Sequence, residues 1–483
     1  MKRVIMISAA IAAAVAFSGC RKDNGTDGPQ KMTDADVITV FEADMETHLR
    51  NPYMGWTLYC PFNDIPSAYW RRMDEAAREY ASILYIRWTW ADMEPSEGQY
   101  AWDNNDRFKQ FIEGARERGI RLCFRVYVDS YAQGKNATPQ WVLDHAESYE
   151  PNGNNGGYLT PYGDDPYFLE KYTNFIRAFG EEFNDPTLVD YVDSYGLGFS
   201  GEENNIRWLD EENSVEAFST VVRAYEEAFD KVVNVVNYGK SDAEAAIVYD
   251  ELGFCTRRDG YGMEQWFPAA ERMKFASLFP EQMLVAEAGY GYDYDWSVAE
   301  GGKYGQWVNY SKDIVKLALE TNVNYLDLRD ATTTDHWLEE NPDGVKEFLS
   351  KGGYRICPVE VRYKTENGRL TVQHSWMNYG VGILPNHNPH LGYKYRIALG
   401  LFDSEGREVT RLLSDQIEVS RLVDGNELMA TDEIDLTGIG PGRYRLGIAI
   451  INTRENDSKD ITLAVMDPEK ITGEWVYAGD VSI

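Results

Sequence analysis

Cysteine and histidine are scarce in this chain: 483 residues contain only 5 Cys and 6 His. They form no CxxC, HExxH or closely spaced Cys/His pattern, so the residues that most often bind zinc are not arranged to do so. The chain also lacks a P-loop, and no GxGxxG turn opens a helix after a strand, which removes the usual signals of nucleotide chemistry. We therefore predict neither a metal site nor a cofactor.

Positive charge is also in short supply. The chain has 47 Lys and Arg residues but 79 Asp and Glu residues, which gives a formal net charge of -32. This balance argues against nucleic acid or an anionic membrane surface as a partner, because both are bound through basic patches. The chain is rich instead in aromatic residues, with 13 Trp and 32 Tyr. Flat rings suit the apolar faces of sugars, although an aromatic-rich core gives the same count.

The only sustained apolar run lies at the N-terminus. The segment MKRVIMISAAIAAAVAFSGC has a basic start, an alanine-rich stretch too short for a stable membrane span, and small residues before Cys20. Its ending resembles a bacterial lipobox, which implies cleavage before Cys20 and lipidation of its thiol. Residues 21–40 are polar and predict a flexible tether. We expect a secreted lipoprotein of the outer membrane that contacts the membrane only through this anchor.

The remaining cysteines are Cys60, Cys123, Cys255 and Cys357. They lie far apart, and two of them sit inside apolar, strand-like runs. This pattern predicts buried free thiols rather than a disulfide framework.

Two regions differ in their periodicity. Residues 41–353 alternate short apolar runs with longer helical patterns in about eight strand-helix units, which predicts a (β/α)8 barrel. From residue 354 to 483 the helical pattern disappears, and alternating runs are separated by turn residues. These runs predict an antiparallel β-sandwich, which we interpret as a structural collar in preference to a carbohydrate-binding module.

Two of the predicted barrel strands end in a carboxylate. The stretch YVDSYGLGFSGEEN leads to Glu202 with Glu203 beside it, and MLVAEAGYG contains Glu287. The C-terminal ends of barrel strands meet at one mouth, so these side chains are expected to converge. Two facing carboxylates are the usual catalytic residues for cleaving a glycosidic bond. The prediction is a glycoside hydrolase that acts on a poly- or oligosaccharide.

A resemblance supports this interpretation. The stretch WTWADMEPSEGQYAW, from Trp88 to Trp102, resembles the signature that follows the second strand in clan A glycoside hydrolases, and TPQWV resembles the loop after their third strand. The segment HSWMNYGVGILP resembles the sandwich appended to a poorly characterised group of bacterial barrel lipoproteins. Membership of the clan implies an acid/base at the end of strand four, a nucleophile at the end of strand seven, and retention of configuration. On this chain those positions are Glu202 and Glu287.

The chain departs from the clan at one position. Gly201 stands where the clan has an asparagine before the acid/base glutamate. This leaves open whether Glu202 or Glu203 is the acid/base. We favour Glu202, because the glycines around it would leave it open space, whereas Glu203 could pair with Arg207.

Further substrate-binding candidates lie at or near the other strand ends. Each has a structural alternative, either an ion pair or helix-barrel packing. The candidates are Arg87, Trp90, Arg125, Asp129, Arg258, Asp259, Tyr290, Trp296, Asp327 and Arg329.

A second hypothesis is a non-catalytic glycan-binding lipoprotein of the cell surface that keeps a glycosidase-like barrel. Its best support is the missing asparagine. Convergence of Glu202 and Glu287 on one pocket would favour the enzyme, and burial of either carboxylate in ion pairs would favour the binder.

Overall fold

A computed structural model describes residues 30–60, 62–131, 133–151, 156–237, 241–263, 266–289 and 306–483. Its strands are β1 (Val37–Val40), β2 (Gly55–Cys60), β3 (Ala81–Thr89), β4 (Arg121–Tyr127), β5 (Ser148–Tyr149), β6 (Thr160–Pro161), β7 (Val189–Asp193), β8 (Val233–Asn237), β9 (Cys255–Tyr261), β10 (Leu284–Ala288), β11 (Tyr325–Arg329), β12 (Ile356–Glu366), β13 (Arg369–Asn378), β14 (Tyr395–Phe402), β15 (Glu408–Leu413), β16 (Leu428–Asp435), β17 (Arg443–Asn452), β18 (Ser458–Ile461), β19 (Lys470–Thr472) and β20 (Trp475–Ser482). Its α-helices are α1 (Pro66–Glu79), α2 (Trp90–Met93), α3 (Ala101–Asn104), α4 (Asp106–Glu117), α5 (Gln140–Leu143), α6 (Pro166–Phe183), α7 (Ser214–Ala228), α8 (Asp242–Ala245), α9 (Ala269–Ala276), α10 (Trp307–Glu320), α11 (Ala331–Glu340) and α12 (Pro342–Lys351).

Eight parallel strands close into a barrel, in the order β2, β3, β4, β7, β8, β9, β10 and β11. The predicted (β/α)8 architecture is thus confirmed. The strands are buried on both faces, so they appear in the sequence as nearly continuous apolar runs. The helices are amphipathic: α4, for example, is capped by Asn105 and turns Phe108, Phe111 and Ala115 inward. Within the described ranges, no helix is long and apolar enough to cross a membrane.

The barrel interior changes character along its axis. Alternate residues of each strand point inward, so Cys255, Arg257 and Asp259 share one face of β9, and Val285 and Glu287 share one face of β10. Cys255 and Val285 belong to the apolar core at the N-terminal end of the strands. In these two strands the charged members come later. The interior is therefore mostly apolar at the bottom, where Arg121 pairs with the buried Asp190, and it is charged at the mouth.

Two antiparallel sheets form the predicted sandwich. One has the order β1-β12-β13-β16, and the other has the order β15-β14-β17-β20-β19 with β18 on β17. Val361 and Val372 of the first sheet and Leu399 and Ile448 of the second belong to one buried cluster. Strand alternation explains this, because the inward residues of both sheets are apolar. The four remaining cysteines are buried free thiols.

The N-terminal segment requires a correction. The tether was predicted to run to residue 40, but Val37–Val40 forms β1 and pairs antiparallel with β12, with Val37 opposite Tyr363. Before it, the main-chain N–H of Met32 donates to Gln373 at 2.7 Å. Residues 30–40 therefore belong to the sandwich. A strand of four residues is too short to show a clear alternating pattern. Its pairing could not be predicted from nearby residues either, because its partner lies more than 300 positions away in the chain.

The sandwich packs against the N-terminal ends of the barrel strands. Asn388 donates to the carbonyl of Gly253 at 2.8 Å, just before β9, and His390 contacts Asn234 of β8 at 3.0 Å. Asn324, just before β11, donates to the carbonyl of Ile383 at 2.6 Å. The sandwich thus covers the barrel at the end opposite to the mouth. This placement favours the collar interpretation.

Candidate active site

A cavity of about 640 Å3 opens at the C-terminal ends of the barrel strands. Its wall combines charged, amide and aromatic side chains, a mixture that suits a polar ligand with apolar faces. The ionisable groups of the lining are Glu202, Glu203, Asp259, Glu287, Arg87, Arg258, Arg329 and Tyr131.

Glu287 lies inward near the end of β10, on the floor of the cavity. Its side chain is only 4% exposed and meets three guanidinium groups. Arg329 donates to Oε1 at 2.9 Å, Arg87 lies 3.5 Å from the same oxygen, and Arg257 donates to Oε2. Buried carboxylates are tolerated when they are paired in this way. Glu287 is therefore held in a fixed orientation beneath the cavity.

Glu202 does not sit on its strand but nine positions beyond β7, in a tightly wound loop. The loop closes on itself, because the N–H of Glu202 donates to Phe199 and that of Glu203 to Leu197, both at 2.9 Å. Asn237, the last residue of β8, ties the loop to the barrel: its amide donates to the carbonyl of Glu202 at 2.9 Å. The Glu202 carboxylate accepts from Arg87 at 2.8 Å, and its side chain remains 25% exposed.

The structure explains why a glycine occupies position 201. Its φ is +74°, in the left-handed region, and an added Cβ would lie 2.8 Å from Cβ of Tyr127 and 3.1 Å from Cδ of Arg125. A side chain would therefore be both strained and obstructed. An asparagine does not fit where the clan usually has one. At this position the main chain packs closely against β4 instead.

Three carboxylates converge on the cavity floor. Oxygen atoms of Glu202, Asp259 and Glu287 lie within 4.8 Å of one another. Glu203 is outside this group, and its Oε1 accepts the N–H of Asn237 at 2.9 Å. The arrangement favours Glu202 over Glu203 as the residue that works with Glu287.

The same three carboxylates could in principle ligate a cation. The guanidinium groups of Arg87, Arg125, Arg257 and Arg329 already contact them. A divalent cation between these carboxylates would have to displace or repel those groups. The donor set therefore suits charge pairing within the protein better than metal binding.

The environment separates the acidities of the two glutamates. Burial, followed by the charge of Asp259, raises the pKa of Glu202 to about 7 in spite of Arg87. Burial alone would also raise the pKa of Glu287, but Arg257, Arg329 and Arg87 outweigh it and hold that pKa well below its usual range. Near neutral pH, Glu202 is thus partly protonated and Glu287 is ionised.

Several predicted binding residues do line the cavity. Arg87, Arg258, Asp259 and Arg329 are part of its wall. Arg258 donates to the carbonyl of Asp259 at 2.8 Å and to that of Trp266. Tyr290, Trp296 and the lipidation candidate Cys20 lie outside the described residues.

Four other predicted binding residues are corrected, because none belongs to the cavity wall. Trp90 is fully buried and packs against Trp141 and Tyr172 with its indole bonded to Glu94, so the packing alternative applies. Arg125 is buried and pairs with Asp193 and Asp259. Two buried carboxylates satisfy main-chain N–H groups: Asp129 accepts from Tyr131 at 2.7 Å and Asp327 from Ala288 at 2.6 Å.

The sequence reasoning missed other participants. Arg257 contacts Glu287, but we had selected its neighbour Arg258; the inward alternation of β9 could have shown that Arg257 shares a face with Asp259. Asn237 was missed as the residue that anchors the loop. Trp266 is 55% exposed beside the cavity, and Tyr131 stacks on Phe199 with ring centroids 3.9 Å apart. No local signal distinguished these rings from core aromatics.

No protein-family model matches the chain, and no curated protein matches it in sequence. Solved structures with a similar chain course include endo-glycoceramidase II from Rhodococcus sp., at 14% identity and TM-score 0.41, covering 80% of this chain and 99% of that one. An endoxylanase of glycoside hydrolase family 30 from Clostridium papyrosolvens C71 has 11% identity and TM-score 0.39, covering 82% of this chain and 97% of that one. A family 5 glycoside hydrolase from Prevotella bryantii B14 has 12% identity and TM-score 0.39, covering 64% of this chain and 98% of that one. At such low identities and TM-scores, any functional inference must rest on the site itself.

Proposed function

We propose that the chain is a retaining glycoside hydrolase, with Glu202 as acid/base and Glu287 as nucleophile. The single observation that carries the proposal is the pair of facing carboxylates, whose oxygens lie within 4.8 Å at the barrel mouth. Retaining enzymes have carboxyl groups about 5–5.5 Å apart, whereas inverting enzymes need about 6.5–9.5 Å to admit a water molecule. The observed approach is compatible with the shorter spacing.

The charges around the pair support the same assignment of roles. An acid must hold a proton near the working pH, and the pKa of Glu202 is raised to about 7. A nucleophile must be ionised, and the three guanidinium groups around Glu287 keep it so. Arg87 contacts both carboxylates and fixes their relative position.

The reaction then has two balanced steps. A Glu287 oxygen attacks the anomeric carbon while the glycosidic C–O bond breaks, and Glu202 transfers its proton to the departing oxygen. In the second step the Glu202 carboxylate takes a proton from water, whose oxygen attacks the same carbon. The ester bond to Glu287 breaks, and both side chains return to their initial states. The exposed ring of Trp266 and the stacked Tyr131 and Phe199 provide apolar surfaces on which sugar rings could rest.

One observation favours the second candidate, a non-catalytic glycan-binding protein. Glu287 is almost completely buried and pairs with three arginines, which lowers the basicity of its carboxylate. Such pairing is also what a purely structural carboxylate would show. Turnover is therefore the property that separates the two candidates.

The test is hydrolysis of a panel of nitrophenyl glycosides and of plant and algal polysaccharides by the wild type, Glu202→Gln and Glu287→Gln. We expect the wild type to cleave at least one substrate with retention of configuration. Each substitution should lower kcat by at least about 1000-fold, since each removes a group that acts in the transition state.

Asp335→Asn is the matched control, because Asp335 forms an exposed ion pair with Arg72. It should leave kcat unchanged. The proposal would be wrong if no substrate were cleaved while a glycan still bound with an affinity that neither glutamate substitution altered. That outcome would establish the binding protein.

A further inference from the structure

We infer that Asp259 is a positioning residue that keeps the catalytic proton on Glu202, by presenting a fixed negative charge to it across the cavity floor. The inference rests on the proposed function and adds a third carboxylate to it. Asp259 had been predicted to bind substrate. Its contacts assign it a different task.

Asp259 lies close to both glutamates. An oxygen of Asp259 lies within 4.8 Å of oxygens of both Glu202 and Glu287. Asp259 cannot move away from them, because Arg125 pairs with its Oδ2 at 2.8 Å and Arg257 with its Oδ1 at 2.7 Å. Its N–H also donates to Asn237 at 3.1 Å. The carboxylate is thus clamped beside Glu202 from two strands.

The negative charge of Asp259 is only partly neutralised by its ion pairs. Both cationic partners of Asp259 are shared: Arg125 also pairs with Asp193 at 2.7 Å, and Arg257 also pairs with Glu287 and lies 3.4 Å from Asp193. Glu287 meets three guanidinium groups, one more than Asp259. The two shared guanidinium groups therefore do not cancel the negative charge that Asp259 presents to Glu202, although burial raises the pKa of Asp259 itself.

Charged groups of both signs lie around Glu202 in the described part of the site. Arg87 at 2.8 Å and Arg125 at 3.7 Å favour its ionised form, whereas Asp259 and Glu287 oppose it. Burial and the opposing carboxylates together outweigh the two arginines, so they favour the protonated form of Glu202. Among the residues that the structure describes, the charged groups in and around the three-carboxylate group are Arg87 on β3, Arg125 on β4, Asp193 on β7, Arg257, Arg258 and Asp259 on β9, Glu287 on β10, Asp327 and Arg329 on β11, and Glu203 beside Glu202.

The experiment is a pH titration of Glu202 in the intact chain, followed by NMR of glutamate labelled with carbon-13 at the carboxyl position. The spectrum of Glu202→Gln assigns the signal. In the wild type, the midpoint is expected near pH 7. In Asp259→Asn, the midpoint should fall by about one pH unit or more, because a nearby negative charge has been removed. The alkaline limb of kcat/KM should fall by the same amount.

Asp327→Asn is the matched control. Asp327 is also a buried carboxylate at the end of a barrel strand, but it is not a member of the three-carboxylate group. Its substitution should leave the Glu202 midpoint within about 0.3 pH units of the wild type. If Asp259→Asn failed to fold, Asp259→Ser would replace it, because a smaller side chain leaves room for water beside Arg125 and Arg257.

An unchanged Glu202 midpoint in the folded Asp259 variant would overturn the inference. The titration needs no substrate, so its result is independent of the hydrolysis assay. Turnover together with an unmoved midpoint would leave the glycosidase in place and remove only the role of Asp259. A shifted midpoint without turnover would keep the effect of Asp259 on Glu202 and remove the proposed glycosidase activity.

Discussion

Glu202 and Glu287 are identical side chains whose carboxyl groups meet different partners in one cavity. Each glutamate faces the other and Asp259, but Glu287 is surrounded by three guanidinium groups, while Glu202 has Arg87 at 2.8 Å and Arg125 only at 3.7 Å. Their pKa values consequently move in opposite directions. A pair of titratable groups driven apart in this way is the arrangement expected of an acid and a nucleophile.

The opposite shifts predict opposite effects on stability. An unfolded glutamate has a pKa of about 4.3, below the value of about 7 for folded Glu202. As the pH rises between these values, the unfolded chain loses a proton that the folded chain keeps, so the free energy of unfolding falls. Glu202→Gln should therefore gain stability relative to the wild type as the pH rises through this interval. Urea unfolding at intervals of about one pH unit measures the difference.

Glu287→Gln is the contrasting variant. The pKa of Glu287 is lowered on folding, so its ionised form stabilises the folded chain above about pH 4.3, and this contribution disappears as the pH falls through the folded value. The variant should be less stable than the wild type at neutral pH, and the difference should shrink in acid. Parallel pH profiles for the two variants would contradict the assigned environments.

At the scale of elements, the loop of residues 194–205 decides where Glu202 lies. It begins after β7 and returns on itself through main-chain hydrogen bonds. Ser200, Glu203 and Asn205 all have positive φ values. Such conformations are costly and persist only where the surroundings enforce them. The close packing of Gly201 on Tyr127 and the bond from Asn237 are two of those constraints.

The loop predicts a specific effect of Gly201→Ala. Left-handed backbone costs an alanine roughly 1–2 kcal/mol, and the new Cβ must also push the loop away from β4. A displacement of Glu202 by about 1 Å should lower kcat/KM by about 100-fold. Steady-state kinetics and thermal unfolding measure the two effects.

Gly98→Ala is the control for backbone strain. Gly98 has a φ of +71°, yet an added Cβ would meet nothing within 4 Å. It should lose a similar stability but keep the activity of the wild type. Equal kinetic losses in both variants would show that packing on β4 does not position Glu202.

At the scale of the whole molecule, the two domains share one apolar core. The buried cluster that fills the lower barrel, with Cys123 and Tyr325, also contains Trp376 and Ile397 of the sandwich. Arg121 and Asp190 pair at the bottom of the barrel, where Asp190 also accepts from Tyr325. The sandwich therefore shares a hydrophobic core with the lower barrel and is not an independent appended domain.

This shared core predicts that the barrel does not fold alone. A chain of residues 30–353 would expose the apolar lower interior and leave Asn324 without its bond to Ile383. We expect it to aggregate or to unfold without a cooperative transition, as seen by calorimetry. A chain of residues 30–483 is the control and should unfold cooperatively. Cooperative unfolding of residues 30–353 would contradict the shared core.

The lipid anchor at Cys20 stays a prediction.

Much of the architecture could be predicted because it depends on the order of apolar and polar residues within short stretches of the chain. Buried parallel strands appear as apolar runs, helices as amphipathic repeats and sandwich strands as alternation, so the barrel and the sandwich could be identified in sequence. Counting strands also placed Glu202 after the fourth and Glu287 in the seventh, where the structure has them. These features depend on residues that are close together in the chain.

The remaining features depend on partners from distant strands, so they could be seen only once the chain was folded. Trp90 and Trp266 are the same residue type, but packing buries one and leaves the other beside the cavity. The acidities of Glu202 and Glu287 depend on arginines from β3, β4, β9 and β11. The order of strands and loops in the sequence was enough to predict that Glu202 and Glu287 reach the mouth. Folding decided which of them keeps a proton, because burial and charge act through space and not along the chain.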